Sequence, residues 1–224
     1  MVLLTTYPDF LHRVEELGFL PMSNILPGFP SLSAETPNHI WHTGLDTDPW
    51  QWKDRAAEEK QLAYGCILGG HKGFVCTQMY PIFYAAYHPS ELMPERWAAG
   101  KVNPFTWKLW QLFEEKNTVN TSQARKLLGV SAKKGGGHVD TSLKELQQDY
   151  YITVSGNMRK ISADGRLYGW PSNLYTRVVD WLTEPWIARL TEWQRDEARE
   201  SILDDVVAIN KSLDRQVIAR VLGF

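Results

Sequence analysis

Between Phe105 and Leu182 helical and extended signals follow one another in an order that few folds accept. Trp107, Trp110, Leu112 and Phe113 mark a first helix. An extended Thr118-Val119-Asn120 follows, and Thr121 is a suitable N-cap for a second helix over Ser122 to Leu128. Ala124, Leu127 and Leu128 share one face of that helix, and Gly129 stops it. A basic, glycine-rich loop, Lys133-Lys134-Gly135-Gly136-Gly137, leads to a third helix from His138 to Gln148. Its Val139, Leu143 and Leu146 fall at i, i+4 and i+7 and face a core. Tyr150 to Val154 then reads as a strand, Ser155-Gly156-Asn157 as a turn, and Met158 to Ser162 as the returning strand. Three helices and a hairpin in this order predict a winged helix-turn-helix, an architecture that binds DNA.

The flanking segments repeat parts of this pattern. Thr6 caps a first helix with Pro8 near its start and Phe10, Leu11, Val14 and Leu17 on its buried face, ended by Gly18. Residues 19–45 are loop-rich, with prolines at 21, 27, 30 and 37. Asp48-Pro49 opens a second helix carrying Trp50, Trp52, Lys53 and Arg55. A hairpin follows from Tyr64 to Thr77, turning over Gly69 to Gly73. Helix, long loop, helix and hairpin form a degenerate echo of the central module. Residues 80–103 read as a proline- and aromatic-rich connector. Pro185 opens a helical run to Asn210, with Ile187, Leu190, Trp193, Ala198, Ile202, Val206 and Ile209 inward, and a short helix covers Asp214 to Leu222. Residues 213–224 align with 119–130 in capping, apolar spacing and the Leu-Gly-hydrophobic ending. The organisation expected is an N-terminal helical and hairpin region over 1–103, a winged helix-turn-helix over 104–183, and C-terminal helices over 184–224 that open a truncated third helix-turn-helix. The fold class is α+β, mainly helical, built of tandem winged helix-turn-helix units with small β-hairpin wings.

The formal net charge of −2 is uninformative, but its distribution is not. From Lys101 to Trp170 there are eleven Lys/Arg against six Asp/Glu, so the rest of the chain is acidic. A basic module is what phosphate contacts need. Lys53, in the acidic N-terminal part, is expected to contribute little to such binding. The opening Met-Val-Leu-Leu-Thr-Thr is too short for a signal h-region, and no apolar run approaches a membrane span. With only Cys66 and Cys76, read as buried free thiols, the expected compartment is the reducing cytoplasm. Ten tryptophans read most simply as staples between small helical layers. A stacking platform for unpaired bases requires exposed rings.

The loop Lys133-Lys134 with its glycines and the following helix start, at His138, is suited to phosphate, although it lacks the Gly-Lys-Ser/Thr ending of a P-loop. Thr141, Ser142, Lys144, Glu145 and Gln148 are the helix positions that could meet a groove, and Arg159 and Lys160 lie at the wing turn. The DNA-binding set is thus Lys133, Lys134, His138, Thr141, Lys144, Arg159 and Lys160. His39 and His42 bracket Trp41 near Asp46, Asp48 and Asp54, but the spacing matches no zinc pattern, and neither a metal nor a cofactor is expected.

Thr121 to Gly129, Leu143-Lys144-Glu145-Leu146-Gln147 and Tyr168-Gly169-Trp170 resemble the AlkZ-like (YcaQ-like) family, bacterial DNA glycosylases built from tandem winged helices. The similarity is best over 80–182 and extends more weakly to the first helix and to the helix and hairpin after Asp48. The resemblance implies double-stranded DNA as partner and DNA repair as the setting. It also places a catalytic Gln-hydrophobic-Asp motif just after the Leu-Gly pair that ends the first helix. Here Leu17-Gly18-Phe19-Leu20 is followed by Pro21-Met22-Ser23. Proline cannot hold a base or a water as glutamine does, and serine cannot act as the carboxylate. The function expected is therefore DNA binding without glycosylase chemistry. The alternatives are a glycosylase using other carboxylates, such as Asp46 or Asp48, and a winged-helix protein-interaction module.

Overall fold

The structure, a computed structural model, describes residues 3–131, 133, 135–162 and 164–224, without the side chains at 160, 161, 167, 169 and 170. In chain order the first elements are α1 (Tyr7–Leu17), β1 (Phe19–Pro21), α2 (Leu32–Glu35), α3 (Pro49–Glu58), β2 (Ala63–Leu68), β3 (His71–Val75) and α4 (Tyr80–Tyr87). Next come α5 (Met93–Ala98), α6 (Pro104–Glu115), β4 (Thr118–Asn120), α7 (Thr121–Leu127), α8 (Gly136–Gln148), β5 (Ile152–Ile161) and β6 (Leu167–Arg177). The last are α9 (Val178–Trp181), α10 (Glu184–Ile187), α11 (Arg195–Ile209) and α12 (Arg215–Leu222). This is an α+β chain with antiparallel strand pairing. No helix among the described residues is long and apolar enough to cross a membrane.

The chain divides into two compact units, Met1–His88 with Leu182–Phe224, and Pro89–Trp181. In the first, Thr6 caps α1 by accepting from the Asp9 amide, and Phe10 and Val14 are fully buried one turn apart. Phe10 stacks on Trp52 of α3 at 5.7 Å and meets Phe74 of β3 edge-on at 4.8 Å, so helix, helix and hairpin share one core. The strand order is β1-β3-β2. Helix α11 packs on α4 through Ala198, Ile202 and Val206. The end of α12 docks against α4 and the β2–β3 turn: the Tyr87 hydroxyl of α4 donates to the Leu222 carbonyl at 2.8 Å. Gly69 turns there at φ +59°, and a Cβ on it would collide with the Leu222 backbone.

In the second unit Asn103 caps α6 by accepting from the amides of Phe105 and Thr106. Buried Leu109, Leu112 and Phe113 of α6 and Val139, Leu143 and Leu146 of α8 make the core. Strand β4 pairs with β6, and β6 with β5. Each unit therefore contains the succession helix, strand, helix, helix, strand, strand, from α1 to β3 and from α6 to β6, and the last strand of each succession pairs with both of the others.

Several expectations are corrected. The N-cap of α7 is Asn120, not Thr121. Asn120 accepts from the Gln123 amide while the Gln123 side chain accepts from the Asn120 amide, a capping box that outcompetes a lone threonine. Ser155-Gly156-Asn157 is no turn: β5 runs through it, a register shift between Val154 and Gly156 absorbing one residue as a bulge. The ribbon turns instead at Ser162 to Arg166, where Gly165 takes φ +82°. Leu127 is 51% exposed rather than packed. Residues 80–103 contain two helices, α4 and α5, because proline stands in the first turn of each, where its missing N–H costs nothing. The run from Pro185 is broken into α10 and α11, and Ile187 is exposed.

Lys53, expected to contribute little to DNA binding, has a structural role. Its side chain is buried on α3 with its Nζ 2.5 Å from Asp54 Oδ1 and 4.6 Å above the Trp50 ring. Burial pulls its pKa below the usual lysine range, against the opposing pull of Asp54. Because the folded state binds this proton less tightly than the unfolded chain, the Lys53 contribution makes stability rise with pH from the lowered folded pKa towards the free-lysine value. Lys53→Ala, which strands the Asp54 carboxylate, should cost about 3–5 kcal/mol in urea denaturation. The double variant Lys53→Met/Asp54→Leu should return most of that loss. An unchanged midpoint for Lys53→Ala contradicts this assignment.

Candidate nucleic-acid interface

The longest helix of the second unit, α8, carries an outward stripe. Gly137, His138, Thr141 and Lys144 are exposed along it, and Lys133 is exposed in the loop just before it. Two observations set which way this stripe faces. Ser142, one of the positions expected to meet a groove, is buried and bonds the Thr106 hydroxyl at 2.9 Å. Glu145, another, turns to the start of α6, where its Oε2 accepts from Asn103 at 2.7 Å and from Thr106 at 2.5 Å. A carboxylate at a helix N-terminus is favoured by the helix dipole. Glu145, expected at a groove, is thereby withdrawn from the outer face.

Asp140 is the acid that remains outward. The Arg125 Nη2 of α7 donates to both of its oxygens at 2.7 Å, so its charge is neutralised in place. Arg125 also packs on the start of α8: a Cβ on Gly136 would lie 3.3 Å from Arg125 Nε and 2.9 Å from the Ser131 carbonyl oxygen. The N-cap of α8 is Gly135, which takes φ +82° and offers no capping side chain. His138, in the first turn, stacks on Phe105 at 4.9 Å and 12°, which holds the imidazole flat against α6.

Arg159 is exposed in the body of β5 and not at a turn, beside Met158, which is 43% exposed. The long ribbon, from the bulge at Gly156 to Arg166, carries these groups further from the helices than a short hairpin could. Lys134 lies outside the described residues, as does the side chain of Lys160, whose backbone pairs with Tyr168. Arg125 and Asp140 were missed by sequence reasoning. The i, i+15 separation has no periodic signature, and only the packing of α7 on α8 brings them together.

The segment after α1 has no acid–base pair. Pro21 is buried in β1 opposite Gly73, Met22 donates its amide to the Lys72 carbonyl at 2.9 Å, and Ser23 is exposed. Asp48 is fully buried, its two oxygens accepting from the amides of His42, Gly44 and Trp50 at 2.9–3.0 Å. It is a helix cap and loop clamp. Asp46 is exposed, and its carbonyl accepts from the Trp52 indole. Among the described residues no three His, Cys, Asp or Glu side chains come close enough to hold a metal ion. Cys76 is buried and Cys66 partly exposed.

No curated protein and no solved structure matches this chain. A family model does, that of the AlkZ-related proteins, over residues 4–223. The match takes in α1 and α12 and everything between them, and the chain belongs to the AlkZ-related family.

Proposed function

We propose that this protein binds duplex DNA through the second unit, with α8 as the helix presented to the major groove and the β5–β6 ribbon as a wing along the backbone. In this reading both units are winged helices. The repeated element order, in which β3 and β6 each pair with the two other strands of their unit, supports it. The observation that carries the proposal is the outer face of α8. Lys133, His138, Thr141 and Lys144 are exposed, Glu145 is turned inward, and Asp140 is held by Arg125. A helix face cleared of free acids and flanked by an exposed Arg159 is suited to phosphates on either side of a groove. Lys133 and Arg159 then contact backbone, while Thr141 and Lys144 are the positions near base edges.

Excision of damaged bases is not part of the proposal. Pro21 and Ser23 stand where the family resemblance places glutamine and aspartate, and Asp48, the carboxylate nearest in kind, already accepts three backbone hydrogen bonds. A protein of this kind recognises DNA and leaves its glycosidic bonds intact.

Duplex affinity should fall about ten-fold or more between 50 and 200 mM salt if several phosphates are neutralised. Lys133→Ala should reduce the slope of log K against log salt by about one, equally for unrelated sequences. Asp140→Asn should act in the opposite sense, steepening the slope by about one as Arg125 is released. Flat or undetectable binding removes the proposal. Incubation with 7-methylguanine DNA followed by an abasic-site assay should show no release above the spontaneous rate. Asp48→Ala should lower stability by about 2 kcal/mol through loss of its cap, with Asp46→Ala nearly neutral. Base release abolished by Asp46→Ala in a folded protein would instead favour an active glycosylase.

A further inference from the structure

Three of the ten tryptophans form a column at the surface of the second unit. Trp107 and Trp110 lie one turn apart on α6, their rings 5.1 Å apart and 18° from parallel. Trp97 of α5 continues the column over Trp107 at 5.3 Å and 4°. Core tryptophans in this chain look different: Trp52, Trp181 and Trp186 are each almost wholly buried. Trp97, at the end of the column, is 36% exposed, and Trp107 and Trp110 are half-buried. A partly exposed column of large aromatic rings in a folded unit is a candidate binding face.

The shape and charge of this face select an occupant. The near-parallel indoles, with centroids 5.1–5.3 Å apart, end at Trp97, whose exposed surface can extend the column with another planar ring. Of the four acids on or next to α5 and α6, Glu115 is exposed and the other three are occupied. Glu91 pairs with Lys101 at 2.6 Å, Glu114 pairs with Arg177 at 2.7 Å, and Glu95 accepts from the Leu92 amide. Lys108, between the two α6 tryptophans in sequence, is exposed. The whole unit carries thirteen Lys/Arg against nine Asp/Glu. A planar aromatic ligand joined to phosphate satisfies both features. We propose that the Trp97–Trp107–Trp110 column is a stacking platform for unpaired bases of single-stranded DNA, on a surface distinct from the α8 face.

The test uses the full chain and two fluorescently labelled probes, a thymidine oligonucleotide of about 12 nucleotides and a duplex of equal length, followed by anisotropy. The protein should bind the single strand. Trp97→Ala should weaken that binding about ten-fold or more while leaving duplex affinity within about two-fold, because the two faces share no residue. Trp97→Phe, which keeps an aromatic face, should retain most of the single-strand affinity. Lys133→Ala should show the reverse selectivity and weaken the duplex more than the single strand. No affinity for the thymidine strand overturns the platform even where the duplex binds. So does a folded Trp97→Ala protein with unchanged single-strand affinity. A dimer that Trp97→Ala converts to monomer, as read by sedimentation, would assign the face to a second copy of the chain and equally overturn it.

Discussion

The interaction on which the reading of this protein depends is the polar lock between α6 and α8. Asn103, Thr106, Ser142 and Glu145 form one hydrogen-bonded cluster: Asn103 caps α6, Thr106 bonds both Ser142 and Glu145, and Glu145 closes the ring onto Asn103. Apolar packing of Leu143 and Leu146 alone would tolerate small rotations of α8 about its axis, since one aliphatic contact substitutes for another. Directional hydrogen bonds do not allow this exchange. The cluster sets the azimuth of α8, and with it which residues face outward.

That azimuth also resolves an electrostatic problem. The chain is slightly acidic as a whole, and α8 itself carries two acids, Asp140 and Glu145. Any helix meant for a polyanion has to dispose of such charges. Here one is used to satisfy the start of α6 and the other is bound by Arg125 from α7, so both become structural partners. The basic character of the face then comes from few residues. Such a surface suits backbone recognition with modest base readout, because strong readout requires several bidentate side chains on the helix.

Much of the architecture was legible in the amino-acid order. The helices with a side-chain cap and a glycine stop, α1 and α12, could be read closely, since caps and stops are local chemistry. The apolar spacing of α8 announced its buried face. What was not legible was non-local. Gly156 carries a turn-like signal, yet pairing of β5 with β6 on both sides of it makes a bulge cheaper than a reversal. Lys53 looks solvent-facing by residue type, and only the closing of α3 on the hairpin buries it beside Trp50 and Tyr64. For the candidate site, the exposed positions Lys133, His138, Thr141, Lys144 and Arg159 were readable, while Ser142 and Glu145 were assigned to the wrong side. A polar residue on a helix can be outward or locked into a network, and composition does not distinguish the two.

The central claim is that DNA lies on α8 and the β5–β6 ribbon. Hydrogen–deuterium exchange of the full chain, with and without a saturating duplex at low salt, tests it most directly. Duplex binding should slow exchange in residues 133–148 and 152–177 and leave the backbone of α1 to β3 unchanged. Protection confined to residues 7–75, or none on a duplex that demonstrably binds, would contradict it.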